Sequence, residues 1–244
     1  DQAGVQEDVF DESVLQGLRF VEEHDGMLTL GVRPTRPEPG YGYIQVDEPV
    51  DLSNTFRVKS FTEKPEREFA QMFMTCGEFL WNTGIYMARV DYLVACLKEI
   101  LPSVMSAIAD KDLTHEQEMA YVRENFPRYP NLSIDDGILE KSDRVYVMES
   151  RFGWADLGTW HSTFEAMSHG DGDNVVIDSE VMIDNSHDNI IKIPKDHVAV
   201  VNGLDGYIVA EKGNILLICK KEDSSALIRK YINEVRLKYG EEFV

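Results

Sequence analysis

Glu63 and Lys64 are the first residues whose types and spacing suggest chemistry. They close the alternating run "VKSFTEKP", which is typical of a β-strand that ends at a proline. Lys64 could offer a point charge to a phosphate, and Glu63 could accept hydrogen bonds from sugar hydroxyls. Asn82 follows in a second strand-like run, "FLWNTGIYMARV". Ligands bind at strand ends on one edge of a parallel sheet, so this spacing predicts a binding site; a solvated charge pair is the alternative interpretation.

Three further motifs carry candidate groups. The two glycines of "PGYGYI", which include Gly42, allow the backbone to approach a ligand closely, although a plain turn would also explain them. "GWADLGTW" holds Asp156 between tryptophans and glycines, where a carboxylate on a tight loop could face a hard cation or could cap a helix. "SIDDGILEKS" contributes Asp135 and Lys141, either as site residues or as part of a solvated loop.

Composition excludes several classes of function. The net charge of −20 argues against nucleic acid, because a phosphate backbone needs a basic face. No apolar run approaches the ~20 residues that span a bilayer, so no membrane partner is expected. The three cysteines lack metal-like spacing and are interpreted as reduced structural residues, which favours a cytoplasmic protein. The histidines form no nucleophile constellation that would support hydrolysis.

Strands that alternate with helices must position these groups, and the alternation predicts an α/β fold with a largely parallel sheet. From about residue 170 the pattern changes to short Val- and Ile-rich runs separated by Asn, Asp and Gly, with one closing helix. Short parallel rungs of a β-helix or an antiparallel roll would both fit this segment. We therefore predict two domains, residues 1–168 and 169–244.

The chain resembles the mannose-1-phosphate guanylyltransferases, a branch of the sugar-nucleotide nucleotidyltransferases. The segments that carry the resemblance are, in order along the chain, "RPTRPEPGYGYI", "VKSFTEKP", "FLWNTGIYMAR", "SIDDGILEKS" and "FGWADLGTW". The resemblance runs over residues 25–235. It implies a Rossmann-like, GT-A-like domain with a mostly parallel mixed sheet, followed by a left-handed β-helix-like domain. It also implies transfer of GMP from GTP to α-D-mannose 1-phosphate, giving GDP-mannose and pyrophosphate, with Mg²⁺ or another divalent cation as cofactor.

The same resemblance implies a role for each matching position. Lys64 and Asp156 would be catalytic, and Asp156 would ligate the metal together with Asp1. The implied substrate-binding residues are Gly42, Tyr43, Glu63, Lys64, Asn82, Gly84, Asp135 and Lys141.

One feature of the family is not matched. Its members begin with a strand and a Gly-rich loop that grips the triphosphate, whereas this sequence opens with "DQAGVQEDVF". We therefore expect the N-terminal nucleotide-binding segment to be missing from this chain and the 244 residues alone to be inactive. The alternative is a non-catalytic sugar-phosphate-binding or regulatory module. The full-length parent would bind mannose 1-phosphate and GTP or GDP-mannose, and could form a homodimer.

Overall fold

The computed structural model describes residues 2–4, 6–50, 54–103, 105, 113–222 and 224–243. The helices are α1 Glu7–Glu23, α2 Arg67–Cys76, α3 Val90–Ile100, α4 His115–Asn125, α5 Ile134–Gly137, α6 Trp160–Met167 and α7 Ser224–Tyr239. The strands are β1 Gln2–Gly4, β2 Met27–Val32, β3 Gly42–Pro49, β4 Thr55–Glu63, β5 Phe79–Ala88, β6 Val145–Glu149, β7 Trp154–Asp156, β8 Val175–Val176, β9 Glu180–Asp184, β10 Ile190–Lys192, β11 Val198–Asn202, β12 Tyr207–Lys212 and β13 Ile215–Lys220.

Five strands form the sheet of the first part of the chain, in the order β2-β5-β3-β4-β6, and β6 returns to pair with β2. The predicted α/β fold with a mixed sheet is confirmed. The expectation of a mostly parallel sheet is wrong for these five strands, because within this sheet only β2 and β6 pair in parallel and the other pairs are antiparallel. The physical reason lies in the spacing along the chain: β3 ends at Pro49 and β4 begins at Thr55, whereas a parallel pair needs a crossover of a dozen or more residues.

Helices cover this sheet through an aromatic-rich core. Helix α1 has apolar residues at helical spacing and buries Phe20 and Val21 against the sheet. Helix α2 buries Phe73, whose ring stacks on Phe79 at the start of β5 with centroids 4.0 Å apart. Gly77 ends α2 in the left-handed conformation, with φ of 76°. This packing fixes where the chain enters β5, and β5 carries Asn82.

The segment after residue 170 is β-rich, as predicted, and closes with helix α7. Strand β10 lies between β8 and β12 and is parallel to both, β9 pairs in parallel with β11, and the edge strand β13 is antiparallel to β12. The sheet that contains β10 has hydrophobic residues on both faces. Ile190 packs in a cluster with Phe164 of α6, and Ile191 packs in a cluster with Val201 of β11. The left-handed helical winding and the boundary at 168/169 stay predictions.

Among the described residues, no helix combines the length and the apolar composition that crossing a bilayer requires. Cys96 and Cys219 are buried and Cys76 is exposed, and all three are free thiols. Burial raises the pKa of the Cys96 and Cys219 thiols, which disfavours the reactive thiolate. The interpretation of Cys96 and Cys219 as inert structural residues is therefore supported.

Candidate active site

Gly42, at the start of β3, forms the floor of a polar cluster. Its cross-strand partner in β4 is Glu63, and on the other side of β3 strand β5 brings in Asn82. A Cβ atom on Gly42 would lie 2.6 Å from Glu63 Oε2 and 3.4 Å from Asn82 Cβ, so the two side chains converge over bare backbone. The sequence pattern predicts Glu63 and Asn82 on neighbouring strand ends. In the structure β3 separates their strands and Asn82 lies within β5.

Lys64 follows Glu63 in an unusual backbone conformation. Its φ is 46°, in the left-handed region that non-glycine residues rarely occupy, and the next residue is Pro65. Its N–H donates to the carbonyl oxygen of Tyr41 at 3.1 Å, which ties it to the residue before Gly42. The half-exposed ammonium pairs with Glu63, so the cation stands at the rim of the cluster. Such strain concentrates at functional sites, which supports a functional role for Lys64.

The side-chain amide of Asn82 is fully hydrogen-bonded within the protein. Its Nδ2 donates to Asp135 Oδ1 at 2.8 Å and to the Tyr86 hydroxyl at 3.0 Å. Its Oδ1 accepts from Thr29 Oγ1 at 3.2 Å and from the Gly84 N–H at 3.1 Å. These bonds use both donors and both lone pairs of the amide. Asn82 therefore orients its neighbours, and it must exchange one of these partners to bind a ligand directly.

Tyr86 completes this network, although it stands in an apolar strand run that gave no signal in the sequence. Its hydroxyl donates to Asp135 Oδ1 at 2.8 Å. Burial raises the pKa of Tyr86, and the nearby carboxylates of Asp135 and Glu63 raise it further, so the phenol stays a neutral donor. In the described part of the chain, Asp135 Oδ2 has no hydrogen-bond partner. The cluster thus offers open acceptor oxygens to a ligand with several hydroxyl groups.

Asp156 ends β7 at a separate position. Its Oδ1 accepts from the Gly158 N–H at 2.8 Å, which holds the carboxylate in a tight turn, and its Oδ2 has no bond among the described residues. Thr159 caps α6, because its hydroxyl accepts from the Ser162 N–H at 3.2 Å. Asp156 is therefore not the cap of that helix.

The metal assignment rests on few ligands. Gln2 of β1 pairs with Asp156 in the strand register, whereas Asp1, the other predicted ligand, lies outside the described residues. Among the described residues no group of three His, Cys, Asp or Glu side chains is arranged to hold a metal ion. Mg²⁺ commonly binds through one or two carboxylates together with waters and substrate phosphates. The open oxygen of Asp156 fits that donor chemistry.

Two predicted residues lie apart from the cluster. The side chain of Tyr43 is fully buried, and its hydroxyl accepts from the Glu38 N–H at 3.0 Å, so it packs in the core. Lys141 lines a different cavity of about 490 Å³, together with Arg89 and Arg144. In the part of the chain that the structure describes, neither side chain forms a hydrogen bond or an ion pair with Glu63. The structure brings together Gly42, Glu63, Lys64, Asn82, Gly84 and Asp135.

Comparison with known families defines the class of protein. The family model described as nucleotidyl transferase matches residues 6–171, and the chain belongs to this family. A mixed α/β sheet with polar residues gathered over a glycine agrees with that membership.

The relatives are named more specifically. The chain is 29% identical over 246 residues to mannose-1-phosphate guanylyltransferase of Salmonella montevideo, covering 94% of this chain and 50% of that protein. It is 26% identical to mannose-1-phosphate guanylyltransferase 2 of Escherichia coli O157:H7, covering 100% of this chain and 52% of that protein. The chain thus spans about half the length of these curated relatives.

A solved structure is similar over almost the whole chain. It is described as a mannose-1-phosphate geranyltransferase from Thermus thermophilus, and it matches with a TM-score of 0.74 and 26% identity. The match covers 97% of this chain and 68% of that structure.

Proposed function

We propose that this chain contributes the sugar-phosphate site of a mannose-1-phosphate guanylyltransferase. A phosphate oxygen of α-D-mannose 1-phosphate attacks the α-phosphorus of GTP, the bond to the β-phosphate breaks, and GDP-mannose and pyrophosphate form. The observation that carries the proposal is the convergence of Glu63 and Asn82 over Gly42 with Lys64 at the rim. Such a transfer depends mainly on positioning and on cations at the phosphates.

The chemistry of the cluster suggests a division of roles. Glu63 and the open oxygen of Asp135 accept hydrogen bonds from mannose hydroxyls, and the backbone of Gly42 lies against the sugar. Lys64 neutralises the sugar phosphate. Asn82 holds Asp135 in place and contacts the sugar only by exchanging a partner, because all its hydrogen-bonding capacity is in use.

Asp156 is proposed as a ligand of Mg²⁺ or another divalent cation, with Asp1 as the second protein ligand. A bound divalent ion would neutralise charge on the phosphates during transfer. The Asp156 turn contributes a carboxylate whose orientation is fixed by the Gly158 N–H. That pre-organised oxygen is what this chain supplies to the metal.

Three finer features of the protein belong to the same proposal. The first is the division into residues 1–168 and 169–244, with left-handed β-helix-like winding in the second part. Ile190 with Ile208 and Glu180 with Val198 are each 18 positions apart, and Val175 with Ile190 is 15 positions apart, and these short parallel returns support stacked coils. The second is assembly as a homodimer. The third is a cytoplasmic location, and the free cysteines support it.

Isothermal titration of the chain with mannose 1-phosphate tests the site. We expect binding that Glu63→Gln weakens at least tenfold, and weaker binding of mannose, which lacks the phosphate. Tyr92→Phe is a matched control away from the cluster. Turnover of GTP and mannose 1-phosphate is then measured in the full-length gene product. If the chain does not bind mannose 1-phosphate and the full-length product shows no turnover, the proposal is wrong.

A further inference from the structure

Tyr41 lies between all the parts of the proposed site without being one of its ligand-binding groups. It precedes Gly42 in the chain, and its carbonyl oxygen accepts the Lys64 N–H at 3.1 Å. Only 3% of the residue is exposed, so its side chain points into the protein and not toward a ligand. Its backbone is therefore fixed to the sugar-phosphate side of the site at two neighbouring points.

The side chain of Tyr41 reaches the Asp156 loop. Its hydroxyl hydrogen-bonds to Ser162 Oγ in α6, the helix that follows the Asp156 turn. Its ring makes an edge contact with Trp154, two residues before Asp156, with centroids 5.0 Å apart. One side chain thus contacts both the strand that ends at the proposed metal ligand and the helix that follows it.

The same ring also touches the strand that carries Asn82. Tyr41 packs edge-on against Trp81 at a centroid distance of 5.0 Å, and Trp81 is the residue before Asn82. The Arg36 guanidinium lies over both rings, at 5.3 Å from Trp81 and 5.8 Å from Tyr41. Arg36 also donates to Ser162 Oγ at 3.0 Å and pairs with Glu165 at 2.7 Å. These contacts tighten the connection between β5 and α6.

We infer that Tyr41 is a positioning residue that couples the sugar-phosphate side of the site to the Asp156 loop, with Arg36 and Ser162 holding its hydroxyl and ring. The inference rests on the proposed function. Nucleotidyl transfer requires the attacking phosphate oxygen to be held at the correct distance and angle from the nucleotide phosphates. Small displacements from that geometry reduce the rate strongly. The buried hydrogen bond between the Tyr41 hydroxyl and Ser162 Oγ fixes the relative position of the sugar-phosphate side and the Asp156 loop.

Tyr41→Phe is the test, because it removes the hydroxyl and keeps the ring contacts. Tyr92→Phe is the control: the Tyr92 hydroxyl also bonds to a serine, Ser142 Oγ at 3.2 Å, but it lies in the other cavity. In the full-length gene product we expect Tyr41→Phe to lower kcat about 10- to 100-fold, with the KM for mannose 1-phosphate changed less than about threefold. Tyr92→Phe should leave both constants near wild type.

Amide hydrogen exchange distinguishes a coupling role of Tyr41 from a purely structural one, because only coupling makes ligand-induced protection depend on the Tyr41 hydroxyl. In the wild-type protein, mannose 1-phosphate should slow exchange in residues 60–66 and also in residues 154–162. In Tyr41→Phe the protection should remain in the first segment and disappear from the second. Ser162→Ala, which removes the partner and keeps Tyr41, should show the same loss in a second, independent variant.

The outcomes separate the two proposals. If the wild type binds and turns over the sugar phosphate while Tyr41→Phe and Ser162→Ala match Tyr92→Phe in kcat and in exchange, the coupling is refuted and the proposed function stands. A lower melting temperature of Tyr41→Phe with wild-type kcat would also refute it. A wild type that neither binds nor turns over mannose 1-phosphate overturns both.

Discussion

Lys64 allows backbone strain and ligand binding to be tested separately. Its φ of 46° places a residue with a Cβ atom in the left-handed region, which costs about 1–2 kcal/mol relative to a relaxed backbone. Lys64→Ala and Lys64→Gly both delete the ammonium, so they lose the same ion pair with Glu63. That half-exposed pair contributes roughly 0–1 kcal/mol. The two variants therefore differ only in the Cβ methyl group of alanine, which restricts the backbone conformation.

Glycine adopts φ of 46° without strain. It also loses more conformational freedom than alanine on folding, which lowers the stability of the folded state by about 0.5–1 kcal/mol. The balance leaves Lys64→Gly more stable than Lys64→Ala by about 1 kcal/mol. In a protein of this size that difference raises the melting temperature by roughly 2–4 °C. Urea unfolding and thermal melts of the two variants side by side measure it.

Binding should follow a different order. Both variants lack the cation that we propose to face the sugar phosphate, and a charge-assisted hydrogen bond contributes roughly 1.5–3 kcal/mol. We expect the affinity for mannose 1-phosphate to fall about 10- to 100-fold in both, by similar factors. If Lys64→Ala is as stable as Lys64→Gly, the left-handed conformation at position 64 does not strain the backbone of a residue that carries a Cβ atom. If either variant binds as tightly as wild type, Lys64 does not touch the phosphate.

Three further predictions concern other groups. Asp156→Asn keeps an oxygen for its turn but loses the charge, so kcat in the full-length gene product should fall at least 100-fold with an unchanged melting temperature. Tyr86→Phe removes a hydroxyl bonded to the amide of Asn82 and should weaken mannose 1-phosphate binding about 3- to 10-fold in a calorimetric titration. The hydrogen bond to Glu211 raises the pKa of His197 above 6.5, so NMR should show a midpoint above 6.5 that Glu211→Gln lowers. Because the folded pKa is the raised one, the stability from this pair is complete below pH 6.5 and is lost as the pH rises through the folded pKa.

Each of these predictions can fail clearly. Wild-type kcat together with a lowered melting temperature in Asp156→Asn would mean that the carboxylate is structural. Unchanged affinity in Tyr86→Phe would mean that the phenol does not orient the cluster. A His197 midpoint at or below 6.5 would mean that the ion pair does not form in solution.

Local patterns in the sequence are enough to predict the strands and helices and the order of the motifs. The alternating run that ends at Glu63 is strand β4, and the residues around Asn82 lie in strand β5. Thr114 begins helix α4 with a capping box, in which its hydroxyl accepts from the Gln117 N–H and the Gln117 side chain accepts from the Thr114 N–H. These features depend on side-chain alternation and on contacts between residues a few positions apart, which can be read from neighbours in the chain.

Strand order and strand direction depend on long-range packing, which local patterns do not encode. Glu63 and Asn82 meet over Gly42 because β3 inserts between β4 and β5, and no local pattern encodes that insertion. The same holds for the antiparallel pairing of these strands, since the alternation of strands and helices in the sequence predicts a largely parallel sheet. Lys141 follows Asp135 by six positions and yet lines another cavity, since the chain turns between them.

The roles of Tyr41 and Tyr86 could be recognised only from the tertiary structure. Tyr41 and Tyr86 stand in ordinary aromatic and apolar runs, and their types alone suggest core packing. Their roles come from hydroxyl contacts with Ser162 and Asp135, which are 121 and 49 positions away in the chain. Hydrogen bonds across such separations form only when packing brings distant elements together, so the residues that orient the site were visible only in the fold.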